Sequence, residues 1–75
     1  MRHAELEAFA TECVASLATL SPELGAFDAW WVTRAERINR LSVDAPKLWH
    51  QVGYAIEALH YRRRRAADDR ANAAH

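Results

Sequence analysis

The run Ser42-Val43-Asp44-Ala45-Pro46-Lys47-Leu48 decides how this chain is divided. Asp44 is a residue that accepts hydrogen bonds from orphan helical amides, and proline is tolerated in a first helical turn. Val43 ahead of the cap can pack on Leu48 as a hydrophobic staple. A helix is therefore expected to start near Ala45. Beyond it Leu48, Val52, Ala55, Ile56 and Leu59 recur at helical spacing, and neither proline nor glycine follows Gly53. This helix is predicted over residues 45–70, close to 40 Å at about 1.5 Å per residue. The last ten residues, 66–75, are compositionally poor and are expected to fray.

Upstream of the break, Ser21-Pro22 is a second start signal. A helix over about 22–41 would place Leu24, Phe27, Trp31, Ala35 and Ile38 on one face, with Arg34, Arg37 and Arg40 toward its negative carboxyl end. Gly25 weakens its first turn by about 1 kcal/mol relative to alanine, so the start is open to displacement. The remaining segment, about 2–20, carries Leu6, Phe9, Cys13, Leu17 and Leu20 at steps of three and four, and Glu5 and Glu7 lie in its first turns. The fold expected is all-α: a single domain over 1–75, built as a three-helix up-down hairpin or bundle with a long carboxyl-terminal helix.

Composition limits what such a domain can do. Of 75 residues 51% are hydrophobic, but 16 of those are alanine, so the core is thin. Chains this short rarely draw more than about 3 to 5 kcal/mol from their own interior, and a second copy is a common remedy. Homodimerisation is thus expected to complete the fold. Cys13 has no partner cysteine within the chain, which favours a small buried hydrophobe and a reducing, cytoplasmic setting. Should its stripe meet a copy of itself, the sulfur could approach its mate. No apolar stretch reaches the roughly 20 residues of a membrane span, and the acidic amino terminus is unlike a signal peptide.

Motifs of chemistry are sparse. His3, His50, His60 and His75 include no pair three or four apart, and the one cysteine lies a helix away, so no metal and no cofactor are expected. Glu57, His60 and Tyr61 share helical spacing, but such trios arise on many solvated helices and call for no catalysis. The chain reads as a non-enzyme.

Two surfaces remain. Trp30 beside Trp31 puts two indoles about 100° apart, one for the core and one for its edge; Trp30 is taken as the edge residue and an interface anchor. On the back of the last helix His50, Tyr54, Glu57 and Tyr61 follow at steps of four, three and four, an aromatic stripe where solvated helices carry Lys and Glu. These five residues are the expected partner or dimer interface, and the chain an accessory or regulatory interaction module. The alternative is a nucleic-acid-binding regulator using Arg62, Arg63, Arg64 and Arg65. Zero formal net charge and a pI near 6.9 give no long-range pull on polyanions. Internal pairing is also expected to answer those charges: Arg64 and Arg65 with Asp68 and Asp69, Arg62 or Arg63 with Glu23, and Arg34, Arg37 and Arg40 with Glu5 and Glu7.

Overall fold

The structure, a computed structural model, describes residues 3–73, the side chain of Leu24 excepted. The expected helix start at Arg2, and the expected place of Leu24 on the apolar face, lie outside the described residues. Four helices follow in order: α1 His3–Thr19, α2 Leu24–Val32, α3 Ala35–Asp44 and α4 Pro46–Ala73. Among the described residues there is no strand, so the chain is all-α. The expectation of three helices is corrected to four. None of the four is long and apolar enough to cross a membrane.

The added break falls within the predicted second helix, at Thr33 and Arg34. Neither residue is a helix breaker by composition; the interruption is a matter of hydrogen bonding. In an unbroken helix the Arg34 amide would donate to the Trp30 carbonyl. Here it donates to the Trp31 carbonyl at 2.9 Å. The Trp30 carbonyl instead accepts the Thr33 hydroxyl at 3.1 Å and Arg34 Nη1 at 3.3 Å. These side-chain donors satisfy an orphan carbonyl that ends α2, as such ends require. The start of α2 is displaced too. Glu23, not Ser21, is the capping residue, and the Ser21 hydroxyl accepts the Glu23 amide at 3.4 Å.

At the Ser42–Pro46 run the break is a single residue. Helix α3 continues through Asp44, and Ala45 alone separates it from α4, with φ −153° and ψ 75°. Pro46 explains this, because its ring clashes with a helical conformation in the residue before it. Asp44 is thus the last residue of α3 instead of the cap of α4. The hydrophobic staple is absent as well, since Val43 is 80% exposed. Downstream, α4 runs to Ala73, three residues past the expected end at 70; residues 74 and 75 lie outside the described part.

The path is up, down and up. Helices α1 and α3 both pack on α4. His3 lies beside the start of α4 and Leu17 beside Arg62, so α1 and α4 run parallel while α2 and α3 return between them. The core joins Phe9, Ala10, Cys13 and Leu17 of α1, Trp30 of α2, Ile38 and Leu41 of α3, Ala45, and Val52 and Leu59 of α4. Leu6, Leu20, Phe27, Trp31, Leu48, Ala55 and Ile56 pack against it half-buried. The stripes predicted for α1 and α4 are therefore the ones that meet.

Elongation is the main departure from a compact shape. The radius of gyration is 14.4 Å and the longest dimension 53 Å. A compact 75-residue domain would have a radius near 11 Å. The excess comes from α4, whose 28 residues extend about 42 Å and outrun the bundle at their carboxyl end.

Candidate interaction face on helix four

The back of α4, opposite Val52 and Leu59, carries a row of uncovered rings. Tyr54 is 70% exposed and Tyr61 53%, and His50 and Glu57 beside them are also exposed. The rings are organised into two groups. The His50 imidazole meets Trp49 edge to face at 5.2 Å between centroids and stacks toward Tyr54 at 6.5 Å with 30° between planes. Further along, the Arg65 guanidinium lies 5.9 Å from the Tyr61 ring centroid, and its Nη1 donates to the Tyr61 hydroxyl at 3.2 Å. Trp49, 38% exposed, was not singled out from sequence. Its step of five to Tyr54 hides it from a count in threes and fours.

Trp30 does not join this face. It is only 6% exposed, and its Nε1 donates to the Ser16 hydroxyl at 2.8 Å. The expectation that Trp30 is the edge indole and an anchor for a partner is corrected: Trp30 fills the core and Trp31 is the half-buried one. The break after Val32 is the cause, since it frees α3 to set its own rotation, and α2 turns Trp30 toward the serine on α1. Phe27 stacks with both indoles, at 6.0 and 6.1 Å.

The Glu57, His60 and Tyr61 trio is also split. His60 turns inward and meets Phe27 at 5.1 Å. Tyr61 engages Arg65, leaving Glu57 alone on the solvent side. His60 and Tyr61 thus serve two different neighbours while Glu57 meets solvent, and the three do not converge. Among the described residues, no three His, Cys, Asp or Glu side chains gather as a metal site needs.

The arginine run divides in two. Arg62 Nη2 donates to the Leu17 carbonyl in the last turn of α1 at 2.7 Å. Arg63 Nε donates to the Pro22 carbonyl in the α1–α2 link at 3.0 Å. Arg62 thus adds a charged donor to a carbonyl that the Leu20 amide also reaches, at 3.4 Å, and Arg63 serves a carbonyl in the link. Arg64 and Arg65 are exposed. The expected pairs of Arg64 and Arg65 with Asp68 and Asp69 do not form: Arg65 turns back one helical turn to Tyr61. Glu23 lies beside Arg63 in a shared depression without an ion pair, and the Pro22 carbonyl takes its place.

Charges elsewhere are partly as expected. Arg34 grips Glu12 through Nε and Nη2, both at 3.2 Å, where Glu5 or Glu7 had been the expected partner. That pair holds the Glu12 carboxyl below its ordinary value, chiefly through the Arg34 hydrogen bond. Glu7 instead meets His3 at 2.7 Å. Arg37 and Arg40 do approach Glu5, around a depression of about 250 Å³, where the Arg37 guanidinium also stacks 4.0 Å from the Phe9 ring. Cys13 is fully buried, as expected of a small hydrophobe, and burial pushes its thiol up from 9.0 to about 11. Such a sulfur cannot meet a second copy of itself.

Comparison with protein families, with characterised proteins and with solved structures gave no match.

Proposed function

We propose that this chain is a non-catalytic protein-interaction module, an accessory or regulatory factor whose α4 back is covered by a protein. One observation carries the reading: Tyr54 and Tyr61 stand 70% and 53% exposed on a helix whose opposite side is the core. Tyrosine is enriched where surfaces become covered, because its ring offers area at low entropic cost and its hydroxyl keeps a polar contact. The total surface supports the same reading. A compact 8.5 kDa monomer exposes about 4,650 Å², whereas this chain exposes 5437 Å².

Three of the four arginines in the run weigh against the nucleic-acid alternative, and Arg64 alone stays exposed without a partner among the described residues. Arg62 and Arg63 have their donors directed at protein carbonyls, and phosphate binding requires cations free to displace counterions. Arg65 is held on Tyr61, which places it within the aromatic face instead of a basic patch.

The test is photo-crosslinking in cells. A photoreactive phenylalanine analogue replaces Tyr54 in one variant and exposed Ala15, on the far side of α1, in another. Protein adducts at position 54 and none at position 15 are expected. Adducts only to nucleic acid, or no adduct at position 54, would overturn the proposal.

A further inference from the structure

We propose that the occupant of this face is a second copy of the chain, docked antiparallel along the back of α4 with the two-fold axis level with residue 59. The inference rests on the preceding reading that the face is covered, and adds what covers it and in which register. What selects this chain as its own partner is the order of charges on α4.

From Lys47 to Ala71 the exposed back of α4 carries an unbroken seam in alternating steps of three and four, the spacing by which two helices pair along their length. Every position of that seam is solvent-exposed, and the seam spans nearly the whole helix. The core residues Val52 and Leu59 lie on the other side, so α1, α2 and α3 remain outside the pairing.

Orientation follows from like charges. In a parallel pair each seam residue faces its own copy. Glu57 would then meet Glu57, Arg64 would meet Arg64 and Asp68 would meet Asp68. Like charges set directly against each other oppose association. An antiparallel pair avoids all three contacts.

Register follows in the same way. When the two helices overlap from end to end, His50 faces the second copy's Asp68, Tyr54 faces its Arg64, and Glu57 faces its Tyr61. Each layer joins complementary groups: imidazole with carboxylate, ring with guanidinium, carboxylate with phenol. Sliding by one heptad in one direction sets Lys47 against Arg64. Sliding by one heptad in the other sets Glu57 against Asp68. Maximal overlap and matched charge therefore coincide in one register. Ala58 flanks the axis, and its small side chain lets the backbones approach.

Sedimentation velocity on the full chain, from micromolar to millimolar, tests self-association; a reversible dimer is expected. The Tyr54→Lys/Tyr61→Glu double variant, which sets Lys against Arg64 and Glu against Glu57, should run as a monomer with an unchanged helical circular dichroism spectrum. Single cysteines test the register, since the native Cys13 is shielded. Ala58→Cys, near the axis, should be joined to its mate by a short bis-maleimide. Ala71→Cys should not, because in this register the two copies of residue 71 stand about 36 Å apart along the pair. A wild-type monomer at every concentration, or joining at residue 71 without joining at 58, would overturn self-pairing. Adducts to a different protein at position 54 alongside a monomer would remove this inference alone, whereas no protein adduct would remove the reading beneath it.

Discussion

Ser16→Ala tests how Trp30 came to be the inward indole. The Trp30 Nε1 donates to Ser16 Oγ at 2.8 Å, and the indole is 6% exposed. Removing the acceptor leaves a buried donor without a partner, which costs about 1–3 kcal/mol. Alanine is the better helix former by about half a kcal/mol, which offsets part of this. The net expectation is a loss of about 1–2 kcal/mol. For a 75-residue domain each kcal/mol moves the melting temperature by about 6 °C, so Tm should fall by roughly 6–12 °C. The Ser16 hydroxyl also donates to the Cys13 carbonyl at 3.0 Å, a local bond that survives in any tryptophan variant. A double-mutant cycle with Trp30→Phe separates the two. In the Trp30→Phe background Ser16→Ala should be neutral or slightly stabilising, giving a coupling of about 1–2 kcal/mol. All four proteins are melted at one protomer concentration, since association raises apparent stability. An equal cost of Ser16→Ala in both backgrounds would refute the claim that this bond orients α2.

The remaining predictions concern charge. Arg62→Gln removes the charged donor from the Leu17 carbonyl and should cost about 1.5–3 kcal/mol, read from urea midpoints, with Arg64→Gln within experimental scatter of the wild type. Equal effects at the two positions would contradict the division of the arginine run. Because Arg34 holds the Glu12 pKa down, that pair stabilises above the ordinary carboxylate range and its contribution is lost as pH falls through the lowered value. Glu12 is half-exposed, so solvent screening limits the pair to a few tenths of a kcal/mol; the melting curves of wild type and Glu12→Gln should converge in acid. The Cys13 thiol titrates at about 11 in the fold against 9.0 ordinarily. The folded form thus holds its proton more tightly, and stability should fall as pH rises from about 9 toward 11 in the wild type and not in Cys13→Ala. Alkylation near pH 8 should proceed only through the unfolded form, and so should accelerate with added urea.

Long-period features of this fold are legible in the sequence and junctions are not. The stripes Leu6 to Leu20 and Leu48 to Leu59 each repeat over several turns, and burial of a repeated stripe is what stabilises a helix in a small bundle. They meet as read. The break at Thr33–Arg34 has no such signature, because it depends on where the Arg34 side chain finds acceptors: Glu12 on α1 and the Trp30 carbonyl. The Glu12 contact exists only once the helices have come together. Trp30 and Trp31 exchanged roles for that reason. The extended conformation of Ala45, in contrast, was readable from Pro46, had the restriction been assigned to the residue directly before proline. On the interaction face, the rings at 50, 54 and 61 were legible by spacing, since their solvent side follows once the core stripe of α4 is known. The inward turn of Arg62 and Arg63 was not. Four consecutive arginines encircle a helix, and only the position of the α1 carboxyl end decides which two face it.

That division of the arginines bears on how the long helix persists. Residues beyond Arg63 have little bundle beside them, and short solvated helical segments are marginal in water. Their helicity must be propagated from the part that is fixed. Arg62 and Arg63 mark that boundary: their guanidinium groups tie α4 to the end of α1 and to the link that follows, one turn before support runs out. A helix anchored there projects its last turns as an extension of the aromatic face. In an antiparallel pair those turns would lie along the His50 and Tyr54 half of the other copy, so each unsupported segment would cover the rings its partner leaves exposed. On the proposed pairing a thin core and an overlong helix would have a single physical explanation, because the surface one chain leaves uncovered would be covered by the same surface reversed.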